Sequence, residues 1–154
     1  MRIHLCAVGR LRKGPERDLV DDYLARFDKT GRGMALGPAR EIEVEDRKGG
    51  GQPAEAALLR KAATGTLCTL DESGRAMSSP DLAALLEKLR DTGTPDLSFV
   101  IGGADGIAPA LLAEADLSLS FGAMVWPHAL ARVMLAEQLY RAASILAGTP
   151  YHRA

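Results

Sequence analysis

The chain has 154 residues, 47 % of them apolar, and 19 basic against 20 acidic side chains for a net charge of −1. That length is one domain, residues 1–154, with material for a real core. The charge balance excludes a protein that grips nucleic acid by phosphate attraction alone. The lack of an apolar run of about 18 residues excludes a membrane-spanning helix.

Residues 2–8 form a short apolar run with β-branched Ile3 and Val8, which predicts a first, central strand. It has no basic leader or cleavage site before it, so no signal peptide is expected. Residues 9–15 are a basic loop, Gly9-Arg10-Leu11-Arg12-Lys13-Gly14-Pro15, bounded by glycines. Pro15 suits the first turn of a helix. Leu19, Val20, Tyr23, Leu24 and Phe27 then recur at helical steps to about Asp28. Residues 29–39 read as a loop. Residues 41–45 alternate polar and apolar, as a half-buried or edge strand does.

Residues 46–53 carry three consecutive glycines and read as a loop, either a mobile cover over a site or a plain connection. Residues 54–63 are helical, and residues 66–71 are a third strand ending in Asp71. Residues 72–75 read as a turn. Ser78, Pro80 and Asp81 open the next helix with a cap, an early proline and an acid at the positive end. A fourth strand spans residues 97–101 and runs into Gly102-Gly103-Ala104-Asp105-Gly106. A short helix over 109–115 and a fifth strand over 117–121 follow. A long helical pattern covers 129–147. Strands alternating with helices predict an α/β fold, a mainly parallel sheet with helices on both faces.

Ligands of open parallel sheets bind beyond the carboxyl ends of strands. Three such ends have the right character: Leu70-Asp71, Ile101-Gly102-Gly103, and the stretch Phe121-Gly122-Ala123-Met124-Val125-Trp126. The last is extended and mostly apolar, because Pro127 biases Trp126 away from helical angles. It reads either as a buried strand-to-helix loop or as the wall of a nucleoside pocket. Gly102 and Gly103 either make a tight turn or clear backbone for a ligand. Neither a dinucleotide fingerprint nor a Walker lysine is present, so NAD and ATP are disfavoured.

Cys6 and Cys68 sit in strands and read as buried hydrophobes of a reducing cytoplasm. His4, His128 and His152 are too far apart to predict a metal site. On the last helix, Glu137, Gln138, Arg141 and Ser144 share a polar stripe, with Glu137 and Arg141 spaced for an ion pair. Arg132 falls on the apolar side. It must meet a carboxylate in the core or across a dimer interface, or else a substrate phosphate or base. The apolar breadth of this helix points to a second copy of the chain as partner. The terminal Tyr151-His152-Arg153 places a stacking ring, an imidazole and a guanidinium in a row, or is a frayed end.

Taken together, several segments resemble the RlmH (YbeA) family of SPOUT-class methyltransferases. They are Leu67-Cys68-Thr69-Leu70-Asp71, Phe99-Val100-Ile101-Gly102-Gly103-x-x-Gly106, Leu117-Ser118-Leu119-Ser120-Phe121, Pro127-His128-x-x-x-Arg132-Val133, Glu137-Gln138-x-Tyr140-Arg141-Ala142 and Pro150-Tyr151-His152-Arg153. The likeness runs from Ala7-Val8-Gly9 to Arg153 and is densest in the last third. It implies a C-terminal trefoil knot, which sequence physics alone would not propose. It implies S-adenosylmethionine held by Leu70, Gly102, Gly103 and Phe121, Gly122, Ala123, Met124, Val125 and Trp126. It implies a homodimer in which His152 and Arg153 close the neighbour's site. The reaction implied is methylation of N3 of a pseudouridine in 23S ribosomal RNA. His152, Arg153 and Arg132 are the catalytic candidates: His152 for the proton, the arginines for the deprotonated base or its phosphate. The family tolerates varied residues where this chain has Gly122 and Ala123. With no separate RNA-binding domain and a charge near zero, the chain is expected to act on the ribosome or a subunit rather than on naked RNA. A different RNA target, or a non-catalytic nucleoside-binding dimer on ribosomes, are the alternatives. The basic loop at Arg10, Arg12 and Lys13 reads as an RNA contact or as a solvated connection.

Overall fold

A computed structural model describes residues 1–153. Its strands are β1 (Arg2–Val8), β2 (Ala39–Val44), β3 (Thr66–Ala76), β4 (Asp96–Ile101) and β5 (Leu117–Ser120). Its helices are α1 (Pro15–Gly31), α2 (Gly51–Ala62), α3 (Ser79–Asp91), α4 (Pro109–Glu114) and α5 (His128–Ala147). The strands form one sheet in the order β2-β1-β4-β3-β5, and every pairing is parallel.

Parallel pairing requires crossovers, and the crossovers coat both faces. The two-residue period of a strand divides the core accordingly. Ile3, Leu5 and Ala7 of β1 and Leu97, Phe99 and Ile101 of β4 face α1, α3 and α5. Cys6, Val8 and Val100 face the other way, onto Ala56 and Leu59 of α2 and Leu111 of α4. β4 is buried along its whole length, as the middle strand of such a sheet must be.

Three local readings are corrected. Helix α1 continues past Asp28 to Gly31 and into a 3-10 turn, Arg32–Met34, so residues 29–34 are not loop. Gly31 is tolerated there because a Cβ would lie 2.5 Å from the Leu36 carbonyl oxygen. Helix α2 begins at Gly51, inside the glycine run. Asp46 accepts from the Gly50 N–H over 2.6 Å, and Pro53 occupies the first turn, where its missing N–H costs nothing. Residues 72–75 do not reverse the chain. They belong to a bulge in β3, where Leu70 and Arg75 both align with Leu119 and the chain then resumes its pairing. Asp71 stabilises the bulge by accepting from the Ser73 N–H at 3.0 Å. The Ser78 cap of α3 is as read, a reciprocal capping box with Asp81.

Candidate functional site

The bulge in β3 widens the carboxyl edge of the sheet beside β4 and β5. There residues 70–72, 101–107, 121–122 and 124–128 surround a cleft of about 730 Å³, and Ala123 is not part of its lining. All three strand ends singled out in the sequence therefore converge on one cavity, of a size typical for small ligands.

The glycine segment is a tight turn. Gly106 donates its N–H to the Gly103 carbonyl over 3.0 Å. A Cβ on Gly102 would lie 2.7 Å from the Gly106 carbonyl carbon and 2.9 Å from Ile107 Cγ1. Gly102 is thus required by the turn folding over it, and the turn in turn lines the cleft. The N-terminal end of α2 clamps it, with the Gln52 amide donating to the Asp105 carbonyl over 2.7 Å. This clamp has no signature in the sequence.

The stretch after β5 is not a buried loop. Met124 is 74 % exposed and Val125 87 % exposed, and Trp126 is also exposed. Gly122, with φ +106°, starts the turn, and Ser120 holds it by accepting from the Gly122 N–H over 3.0 Å. An uncovered apolar strip on one wall and strand-end backbone on the others offer shape and hydrogen bonds to a flat, amphiphilic ligand.

Arg132 does not line the cleft of its own chain. Its side chain is 1 % exposed and lies in a cluster of charges, not in the cleft. Nη1 donates to Glu41 at 2.9 Å and to Glu43 at 2.7 Å, and Nη2 donates to the Gly9 carbonyl at 3.2 Å. Arg17 of α1 completes the cluster by pairing with Glu41. The core-carboxylate alternative weighed for Arg132 is the one that the structure shows. Glu41 and Glu43 were the available signal: carboxylates two apart on a strand share one face, here the face toward α1 and α5. Burial pushes the Glu43 carboxyl up, but the Leu11 N–H and Arg132 outweigh it and hold the carboxyl below its usual range.

The tail is folded back on its own helix. Tyr151 donates to Glu137 at 3.0 Å and lies against Tyr140 with ring centroids 4.5 Å apart. Glu137 pairs with Arg141 at 2.6 Å, as the four-residue spacing predicts. Arg141 also approaches His152 Nδ1 at 3.2 Å. Arginine only donates, so Nδ1 accepts and the ring hydrogen sits on Nε2. In this arrangement His152 is a donor at Nε2 and its Nδ1 is engaged by Arg141. Neither His152 nor the exposed Arg153 lines the cleft of its own chain. Ser144, read as part of the polar stripe, is buried and donates to the Tyr140 carbonyl at 2.9 Å.

A second groove of about 640 Å³ lies between α1, α3 and α5, walled by Leu19, Tyr23, Leu82, Val133 and Met134. The end of β5 also walls it, and it shares Phe121 and Gly122 with the cleft, but the ends of β4 and the glycine turn after it do not reach it. Among the described residues no cluster of His, Cys, Asp or Glu could hold a metal. Among the described residues no helix is long and apolar enough to cross a membrane. Burial pushes the Cys6 thiol up to about 11 and Cys68 to about 12, so neither is a nucleophile at neutral pH.

The sequence model described as "Predicted SPOUT methyltransferase" matches residues 1–152, and the class is therefore a SPOUT methyltransferase. Solved structures show the same fold at low identity. One titled a probable methyltransferase, from Bordetella pertussis, superposes with a TM-score of 0.53 at 17 % identity, covering 92 % of this chain and 96 % of that one. Another, a probable methylase family protein from Haemophilus influenzae, gives 0.51 at 13 % identity, covering 99 % and 70 %. Relatives named ribosomal RNA large subunit methyltransferase H, from Ruegeria pomeroyi and Dinoroseobacter shibae, are each 68 % identical over 99 % of both chains. The chain belongs to the ribosomal RNA large subunit methyltransferase H family.

Proposed function

We propose that the protein transfers a methyl group from S-adenosylmethionine to N3 of a pseudouridine in 23S ribosomal RNA, within the ribosome or a subunit. The observation that carries this is the convergence of Leu70, Gly102 and Phe121–Trp126 on one cleft, in a chain of this family. When bound, S-adenosylmethionine supplies an electrophilic methyl on a sulfonium. The chain's part is to hold the adenosyl group. The exposed apolar wall from Met124 to Trp126 accepts the ring, and strand-end backbone at Leu70 and Gly102 accepts and donates at its edge. Gly122 keeps that wall thin, Gly103 lines the opposite side, and Ala123 only links Gly122 to Met124.

As N3 gains the methyl it loses its proton, so the site needs an acceptor and a cation to hold the base as it becomes anionic. His152 and Arg153 are the candidates. Both lie on the α5 side, away from the cleft of their own chain, so they reach a methyl donor only across a dimer. The exposed Leu19 and Leu130 and the apolar groove between α1, α3 and α5 support a homodimer through that face. For His152 to act as a base it must first give up the Arg141 contact at Nδ1. Until then Nε2–H is a donor to a base oxygen. Threading of the 121–128 segment as part of a trefoil knot accords with the family.

Calorimetry with S-adenosylmethionine, and mass spectrometry of 23S RNA from a strain lacking the gene, test the reading together. Binding in the micromolar range and loss of a methyl on one pseudouridine, restored by the wild-type gene, are the expected results. No binding, or an unchanged RNA mass, would overturn it.

A further inference from the structure

The loop between β1 and α1 is held from below by the buried charge cluster and exposes cations above. Its root is Gly9, with φ +90°. The Gly9 N–H donates to the Val44 carbonyl over 2.8 Å, and the Gly9 carbonyl accepts from Arg132 Nη2 over 3.2 Å. Two residues on, the Leu11 N–H donates to Glu43 over 2.6 Å, and the Leu11 side chain packs on the core. The backbone of the loop is thus pinned at three points, two of them through Glu43 and Arg132.

Arg10, Arg12 and Lys13 are all exposed. None of them takes part in an ion pair among the described residues. The loop also leaves the sheet at the edge where the cleft opens. Ala7 is in register with Ile101, and Val8 touches the turn at Gly103. Arg132 sits one helical turn after His128, which lines the cleft.

We propose that Arg10, Arg12 and Lys13 form a phosphate-contact patch for the substrate RNA, and that Arg132 and Glu43 are positioning residues that hold the patch beside the cleft. The inference rests on the RNA methyltransferase reading above. The chemistry fits a polyanion whose phosphates flank a base placed in the cleft. Three cations on a pinned backbone supply local attraction that a net charge of −1 denies the molecule as a whole. Prepaid order in the loop is what makes three cations useful, because flexible ones lose side-chain and backbone entropy on contact.

Co-sedimentation of the full-length protein with large ribosomal subunits across a salt series tests both halves, with S-adenosylmethionine affinity measured in parallel. For Arg10→Gln/Arg12→Gln/Lys13→Gln, association should weaken about tenfold and the log–log salt slope should fall by about two, with cofactor affinity unchanged. Unchanged affinity and slope would overturn the patch. Arg132→Lys keeps a charge for Glu41 and Glu43 but loses the second nitrogen that reaches the Gly9 carbonyl. It should weaken association several-fold with the slope retained, since the three cations remain. Wild-type association in a folded Arg132→Lys protein would overturn the positioning role, and if that variant does not fold, the triple variant alone decides the patch. Failure of the unaltered protein to associate with subunits sinks the patch whatever its cofactor affinity. Failure to bind the cofactor with association intact sinks the methyltransferase reading alone.

Discussion

The Tyr151 hydroxyl lies 3.0 Å from Glu137 Oε1, and that contact joins the last turn of the chain to the middle of α5. Glu137 is shared, since it also accepts from Arg141 at 2.6 Å. Arg141 in turn stands 4.8 Å over the Tyr151 ring. Burial, and after it the Glu137 carboxylate, push the Tyr151 phenol upward, so it stays a hydrogen-bond donor at any physiological pH. A tail so held is a structural element, and its presentation of His152 and Arg153 is set by α5.

Removal of residues 151–154 should therefore leave the cleft intact and silence the reaction. We expect S-adenosylmethionine affinity within about twofold of wild type and methylation lowered by more than about 10²-fold, as for loss of a proton-handling group. Calorimetry and single-turnover methylation of large subunits measure the two. Unchanged methylation would remove the tail from the mechanism.

Gly102→Val should destroy the cleft locally. Its Cβ would meet Gly106 and Ile107 well inside contact distance, so the turn must shift. Cofactor affinity should fall by more than about tenfold, at a cost in stability of about 1–3 kcal/mol typical of overpacking. Trp126, the only tryptophan, lines the cleft and reports on it. Its fluorescence should change on titration of the wild type with cofactor and stay flat in the variant.

Arg132→Met should show how far the buried cluster holds the fold. It leaves Glu41 and Glu43 sharing only Arg17, whose guanidinium is 3.6 Å from Glu43. Breaking a buried ion pair by removing one partner costs about 3–5 kcal/mol. Urea unfolding should show a lower midpoint by that measure. A loss below about 1 kcal/mol would mean the cluster is dispensable.

Asp96 sets an acid limit at the opposite edge of the sheet. It accepts from His4 at 2.8 Å and Arg2 at 2.8 Å, and these bonds hold its carboxyl below the usual range. A carboxyl lowered in the folded state contributes stability above its unfolded value, near about 3.9, and loses it as pH falls through the folded value. Asp96→Asn should therefore lower the melting temperature at pH 7, and the gap to wild type should close below about pH 4. Melting temperatures across a pH series check this, and a gap that stays constant with pH would overturn it.

Local pattern decided much of this protein before any contact was formed. The apolar runs of residues 2–8 and 97–101 and the helical stripe from Leu19 to Phe27 arise from burial and backbone geometry, and the strands and the helix appear in the structure where they were expected. The Ser78 cap and the Glu137–Arg141 pair are likewise interactions between near neighbours in sequence. Strand ends bearing Leu70, Gly102 and Phe121 were recognisable as a candidate site because a parallel sheet puts all its carboxyl ends on one edge.

What tertiary structure alone decided are the meetings between residues far apart in the chain. Arg132 and Glu43 stand 89 positions apart, and only the pairing of β2 with β1 and the packing of α5 bring them to 2.7 Å. A helical wheel shows an arginine on an apolar face but not which carboxylate neutralises it, because that choice depends on burial and desolvation in the assembled core. For the same reason the choice for Gly102 between a tight turn and room for a ligand stays open until the Gly106 backbone is seen to fold over it. Short-range geometry is written in neighbouring residues, while the partner of a buried charge is written only in the packing.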